Sequence, residues 1–132
     1  MPPLRVSVDR ARLVHYAGAS GDRNPIHWDV DFAKGVGLPD VIAHGMFTMG
    51  AAAECVSAWC GDPGRIVSYG TKFVGMVVVP RDLGAVVEVS GKVTAVDVDA
   101  QLATVELTVT SQGRKILGRA LAVVSLARAA GV

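Results

Sequence analysis

Aromatic side chains make up only 5 % of this 132-residue sequence, and cysteine occurs twice. A core without many large rings must be filled by small side chains brought close together. The chain has them: 51 % of it is hydrophobic, rich in Ala and Val, with 15 glycines besides. That hydrophobicity excludes a disordered chain, which needs few apolar residues and a high net charge. Excess charge of one sign is also missing. The 13 basic and 12 acidic residues are spread along the sequence and leave a formal net charge of +1. Without a basic block, neither nucleic acid nor an anionic membrane is an expected partner. No apolar run is long enough to cross a bilayer. The opening residues, Met1 to Val6, carry no apolar stretch of the signal-peptide kind.

The two cysteines, Cys55 and Cys60, lie five apart in a helix-like stretch. They point in different directions there and cannot pair locally, which fits a reducing, cytoplasmic compartment. The three histidines, His15, His27 and His44, are too scattered for a zinc signature. No metal and no cofactor are expected. The length suits one domain, residues 1–132, large enough to bury a core.

Leu4 to Val8 alternates apolar and polar, a strand pattern. Asp9 then caps a helix over about Arg10 to Ala17, with Ala11, Leu13 or Val14, and Ala17 on one face. Gly18 to Pro25 is dense in turn formers, and Asp29 to Val36 reads as one short helix. His44 to Trp59 has no breaker but Gly50 and is apolar on nearly every side, so it is expected to be a buried helix. Gly61-Asp62-Pro63-Gly64 ends it. Strands follow over Arg65 to Val79, around Val87 to Ala95, around Val105 to Val109, and over Lys115 to Ala127. The expected class is α+β: an antiparallel meander wrapped around one apolar helix.

Chemistry concentrates between Tyr16 and Gly50. Asp22 and His27 stand five apart across Pro25, so the loop can turn both toward one cavity. A carboxylate and a neutral imidazole form a workable acid/base pair near pH 7. Ser20 and Asn24 flank the carboxylate, and Asn24 can hold either it or the loop backbone. The same residues also make an ordinary turn in which Asp and Asn bond their own backbone, and spacing alone favours that reading. The second feature is Gly45, which opens the apolar helix directly after Ala43-His44. The first N–H groups of a helix lack internal acceptors and sit at the positive end of its dipole. A carbonyl oxygen placed there would be polarised, and glycine permits the approach. The other reading of Gly45 is a residue kept for helix packing. His44 is a polar residue leading into the helix, more often an entry residue than a catalytic one, and is counted as supporting.

Tyr16 to Asp29, YAGASGDRNPIHWD, followed by Ile42 to Met46, IAHGM, resembles the hydratase-2 motif of the MaoC-like dehydratases. Weaker likeness continues through Lys72, Phe73, Pro80 and Gly118-Arg119-Ala120. Trp28 and the run from Ser57 to Gly64 resemble the catalytic subunit of the heterodimeric (3R)-hydroxyacyl-ACP dehydratases of mycolic-acid-type elongation. The resemblance implies a hot-dog fold and a homodimer or heterodimer with a second hot-dog subunit. It also implies reversible hydration of trans-2-enoyl thioesters carried on CoA or ACP. Carried over by motif, the catalytic residues are Asp22 and His27, and the oxyanion-hole donor is the N–H of Gly45. Two positions depart from the pattern: the lead before the first helix is short, and Ala53 stands where some relatives have serine. A noncatalytic acyl-binding or scaffolding subunit and a thioesterase are the rival readings. Lys72, Arg114, Lys115 and Arg119 are candidates for phosphate contacts.

Overall fold

The computed structural model describes residues 1–127. Strand β1 (Leu4–Val8) leads into helix α1 (Arg10–Ser20), whose first turn is held by the Asp9 carboxylate accepting from the Arg12 N–H at 2.8 Å. Leu13 and Ala17 face the core and Val14 faces outward, so Leu13 is the apolar-face residue. Gly21 ends α1 at φ 77, a left-handed conformation open to glycine without a Cβ clash, and turns the chain into the loop. A single 3-10 turn (Pro25–His27) and a short helix α2 (Val30–Gly35) follow. The long helix α3 (Gly45–Cys60) ends at Gly61, as the breaker run predicts. Strands β2 (Ile66–Phe73), β3 (Ala85–Asp97), β4 (Leu102–Ser111) and β5 (Arg114–Ser125) complete the fold.

All strand pairs are antiparallel, in the order β1-β3-β4-β5-β2. The expected meander holds for β3, β4 and β5. It fails at β2, which lies outside β5 rather than beside β3. The expected strand to Val79 also stops early, at Phe73. At Gly75 the backbone runs so close to β5 that a Cβ would lie 2.5 Å from the Lys115 carbonyl oxygen. Past that point the chain leaves the sheet. The Ala43 N–H donates to the Val77 carbonyl and the Val79 N–H to the Val41 carbonyl, both at 2.9 Å. Residues 77–79 thereby strap the segment that leads into α3.

The inner face of the sheet packs on α3. Val87 and Val89 of β3, Val105, Leu107 and Val109 of β4, and Leu117 of β5 meet Ala52, Cys55 and Val56. Each buried Val or Leu side chain contributes roughly 1.5–3 kcal/mol through surface removed from water. One expectation needs correction: α3 is not buried all round. Met46 is 60 % exposed, and Gly50, Glu54, Ala58 and Trp59 also lie open. A sheet curling about a helix covers one side of it; in a single chain the other side has nothing to meet.

Candidate active site

The loop after α1 is built by side chains satisfying backbone two residues onward. Ser20 Oγ accepts from the Asp22 N–H at 3.2 Å, Asp22 Oδ1 from the Asn24 N–H at 3.2 Å, and Asn24 Oδ1 from the Ile26 N–H at 3.3 Å. Pro25 then begins the 3-10 turn with its fixed φ. The Trp28 indole N–H donates to the Arg23 carbonyl at 3.0 Å and ties the loop across itself. The ordinary turn chemistry is present, and it serves to deliver Asp22 and His27 to one cavity. Asn24 bonds the carboxylate through its backbone N–H, while its side chain holds the turn.

His27 is buried, and its Nδ1 lies 2.7 Å from the Ile42 carbonyl oxygen. A carbonyl can only accept, so Nδ1 carries the proton and Nε2 keeps its lone pair. Burial, the largest cause, pulls the His27 pKa below its ordinary 6.5; His44 pulls the same way, and the Ile42 bond and Asp22 oppose them. The ring is therefore a neutral base at pH 7. Asp22 carries no hydrogen bond to His27, and its side chain is 56 % exposed. His44 touches both. Its ring stacks on His27 with centroids 3.6 Å apart and planes 23° from parallel. Its Nε2 is 2.9 Å from the Asp22 carbonyl oxygen and 3.9 Å from Asp22 Oδ2.

Helix α3 begins beside this group, and its N-terminus is uncapped. His44 holds the N-cap position but makes no side-chain bond to the first turn, where Ser, Thr, Asp or Asn would. The free N–H groups and the dipole of a 16-residue helix thus open at Gly45. A cavity of about 370 Å³ joins Asp22, His27 and Gly45, walled by Thr48, Phe73, Met76 and Ile116. Its size is that of a small-ligand site, which runs from roughly 300 to 1,000 Å³. Phe73 lies directly over the helix start, 3.0 Å from where a Gly45 Cβ would stand.

Asp22, His27 and His44 each bring one donor atom within 4.8 Å of the others. Two of their ring nitrogens, His27 Nδ1 and His44 Nε2, are engaged by backbone carbonyls. His15 is exposed on α1, away from the cavity. Lys72 and Arg119 line a groove that shares no residue with the cavity, and Arg114 and Lys115 line neither. Sequence reasoning did not place His44 against Asp22 and His27, and it missed Phe73. For His44 one signal existed: an imidazole where a cap residue belongs.

Comparison with known proteins places the chain in a family. Residues 2–112 match the MaoC-like domain model. The 3-hydroxyacyl-thioester dehydratase X of Mycobacterium tuberculosis is 39 % identical over 84 residues, covering 63 % of this chain and 29 % of that protein. A solved MaoC-like dehydratase is 42 % identical, with a TM-score of 0.94 over 96 % of this chain and 39 % of that one. The (R)-hydratase of A. caviae involved in PHA biosynthesis is 26 % identical, with a TM-score of 0.83 over 96 % of this chain and 93 % of that one. The chain spans less than a third of the curated relatives it matches first, down to 4 % of fungal fatty acid synthase β subunits. The hot-dog architecture of these neighbours is the fold observed, and the chain belongs to the MaoC-like domain family.

Proposed function

We propose that this chain, as one hot-dog domain over residues 1–132, catalyses the reversible syn addition of water across C2–C3 of an acyl thioester. This interconverts trans-2-enoyl and (3R)-3-hydroxyacyl groups carried on CoA or ACP. The observation that carries the reading is an uncapped helix start opening at Gly45 into the cavity that holds His27 and Asp22. In hydration, Asp22 orients a water and His27 Nε2 takes its proton as the oxygen bonds to C3. Charge gathers on the thioester oxygen, where the Gly45 N–H stabilises it. The proton on Nε2 then passes to C2 from the same face, which restores neutral His27 and leaves no charge unbalanced. Dehydration reverses these steps.

The site also supports a second hot-dog subunit, identical or different. Met46, Phe73 and Met76 stand exposed at the cavity rim, and one side of α3 is uncovered. Exposed apolar surface of that kind supports an interface there. Among the described residues no helix is long and apolar enough to cross a membrane. With both cysteines free, we propose that the protein acts in the cytoplasm.

Asp22→Asn and His27→Ala, each purified as a folded protein and assayed with trans-2-enoyl-CoA, test the assignment. Each is expected to lose turnover by roughly 10²–10⁴-fold, the usual share of positioned acid/base groups. Wild-type turnover in both variants would overturn it, and release of free thiol instead of hydration would point to attack at C1.

A further inference from the structure

His44 makes contacts that neither helix capping nor core packing requires. Its Nε2–H meets the Asp22 carbonyl at 2.9 Å, across a separation of 22 residues. Its ring lies flat on His27 at 3.6 Å, while Tyr16 of α1 packs on it at 4.8 Å and 58°. Its Nδ1 is buried with no hydrogen-bond partner among the described residues. An orphaned buried acceptor is destabilising, so an apolar ring would be the better filler. As N-cap it also forgoes the bond that a Ser or Asp would make to the first turn.

We infer that His44 is a positioning residue for the acid/base pair: it holds the Asp22 backbone by its Nε2–H and the His27 ring plane by stacking, and leaves the α3 N-terminus free for substrate. This rests on the reading above that Asp22 and His27 carry the reaction. Two restraints then fix His27. The Ile42 carbonyl sets the direction of the ring within its plane, and His44 sets the plane. The titratable groups facing His27 are Asp22 from the loop and His44 from the start of α3; those facing His44 are Asp22, His27 and Tyr16. His44 also lowers the affinity of His27 for a proton, so its removal should move the acid limb of activity to higher pH.

His44→Phe keeps a stacking ring without a donor, and His44→Gln keeps a donor without the ring. Misplacing reacting groups by about 1 Å can cost on the order of a hundredfold. For His44→Phe we expect kcat to fall by about ten- to a hundredfold with KM nearly unchanged, and the acid limb to shift upward; His44→Gln should recover part of kcat. A Phe variant that keeps wild-type kcat and acid limb would overturn the inference. So would variants that lose activity only in proportion to lost folded protein. Nitrogen-15 NMR of the wild-type histidines needs no variant and no activity. It should show His27 protonated at Nδ1 and His44 at Nε2, with exposed His15 as internal reference. His44 protonated at Nδ1 would overturn the inference. If the wild type lacked hydratase activity while both tautomers were as stated, the proposed reaction alone would fail.

Discussion

The two halves of the site are built by opposite means. Between Ser20 and His27, side chains accept from backbone N–H groups in three successive two-residue steps, although the loop is largely exposed. At the start of α3 the backbone N–H groups are left without a side-chain acceptor, although His44, Thr48 and Ala51 there are buried. A group that must hold a proton at one place gains from a loop whose polar atoms are already engaged. A group that must receive developing negative charge gains from donors that nothing else occupies. The loop needs its own bonds because it is largely exposed and little core holds it.

Filling the empty half should cost more turnover than loosening the bonded half. Gly45→Ala places a Cβ 3.0 Å from the Phe73 ring, in the space before the free N–H. Phe73 is half exposed and can move, and alanine favours helix over glycine, so stability should stay within about 1 kcal/mol. Turnover should nonetheless fall by about ten- to a hundredfold, below the roughly 10²–10³ for deleting an oxyanion donor outright, because the N–H remains. Adding Phe73→Ala should return part of it. Steady-state kinetics with denaturant melts on both variants checks this; equal losses of stability and turnover would place Gly45 in packing rather than chemistry.

Loosening the bonded half should cost less. Asn24→Ala removes the acceptor for the Ile26 N–H and the cap of the 3-10 turn. The loss should be near 1 kcal/mol of stability, as for other N-cap deletions. Turnover should fall by about tenfold through misplacement of His27, again read by kinetics beside a melt.

Much of this division was legible in the sequence. The loop was, because Asp, Asn and Pro act over two or three residues, within reach of local reasoning. The span of α3 was, because Gly61 ends it and no breaker but Gly50 interrupts it. Three features were not, and all depend on distant chain. His44 meets Asp22 only after α1 and the loop fold back over α3. Val77 and Val79 look like continuing strand, yet their partners are Ala43 and Val41. The open side of α3 looks buried in sequence because its residues are apolar, and nothing local says that a single sheet covers one side alone.

The contrast also has a pH signature in stability. His27 protonates less readily folded than unfolded, because burial opposes the charge. Below the ordinary value of 6.5 the unfolded chain therefore binds more protons than the folded one, and stability falls as pH drops until the folded value is reached. Denaturant melts between pH 8 and pH 5 should show that decline on the acid side, and His27→Gln should flatten it. An unchanged slope in that variant would mean other groups carry it.

The smallest effect on turnover should come from Asp29→Ala, which uses the same kind of bond just outside the site. Asp29 Oδ1 accepts from the Phe32 N–H at 3.0 Å and caps α2, but Asp29 does not line the cavity. Its removal should cost about 1 kcal/mol, like Asn24, because the bonds are alike. Turnover should stay within about twofold, because surface changes away from the chemistry are normally small. If Asp29→Ala and Asn24→Ala lowered kcat equally at equal stability, the bonds within the loop would hold the fold in general rather than aim His27. A clear difference in kcat between the two would assign the aiming to Asn24, whose bond lies in the turn that carries His27 itself.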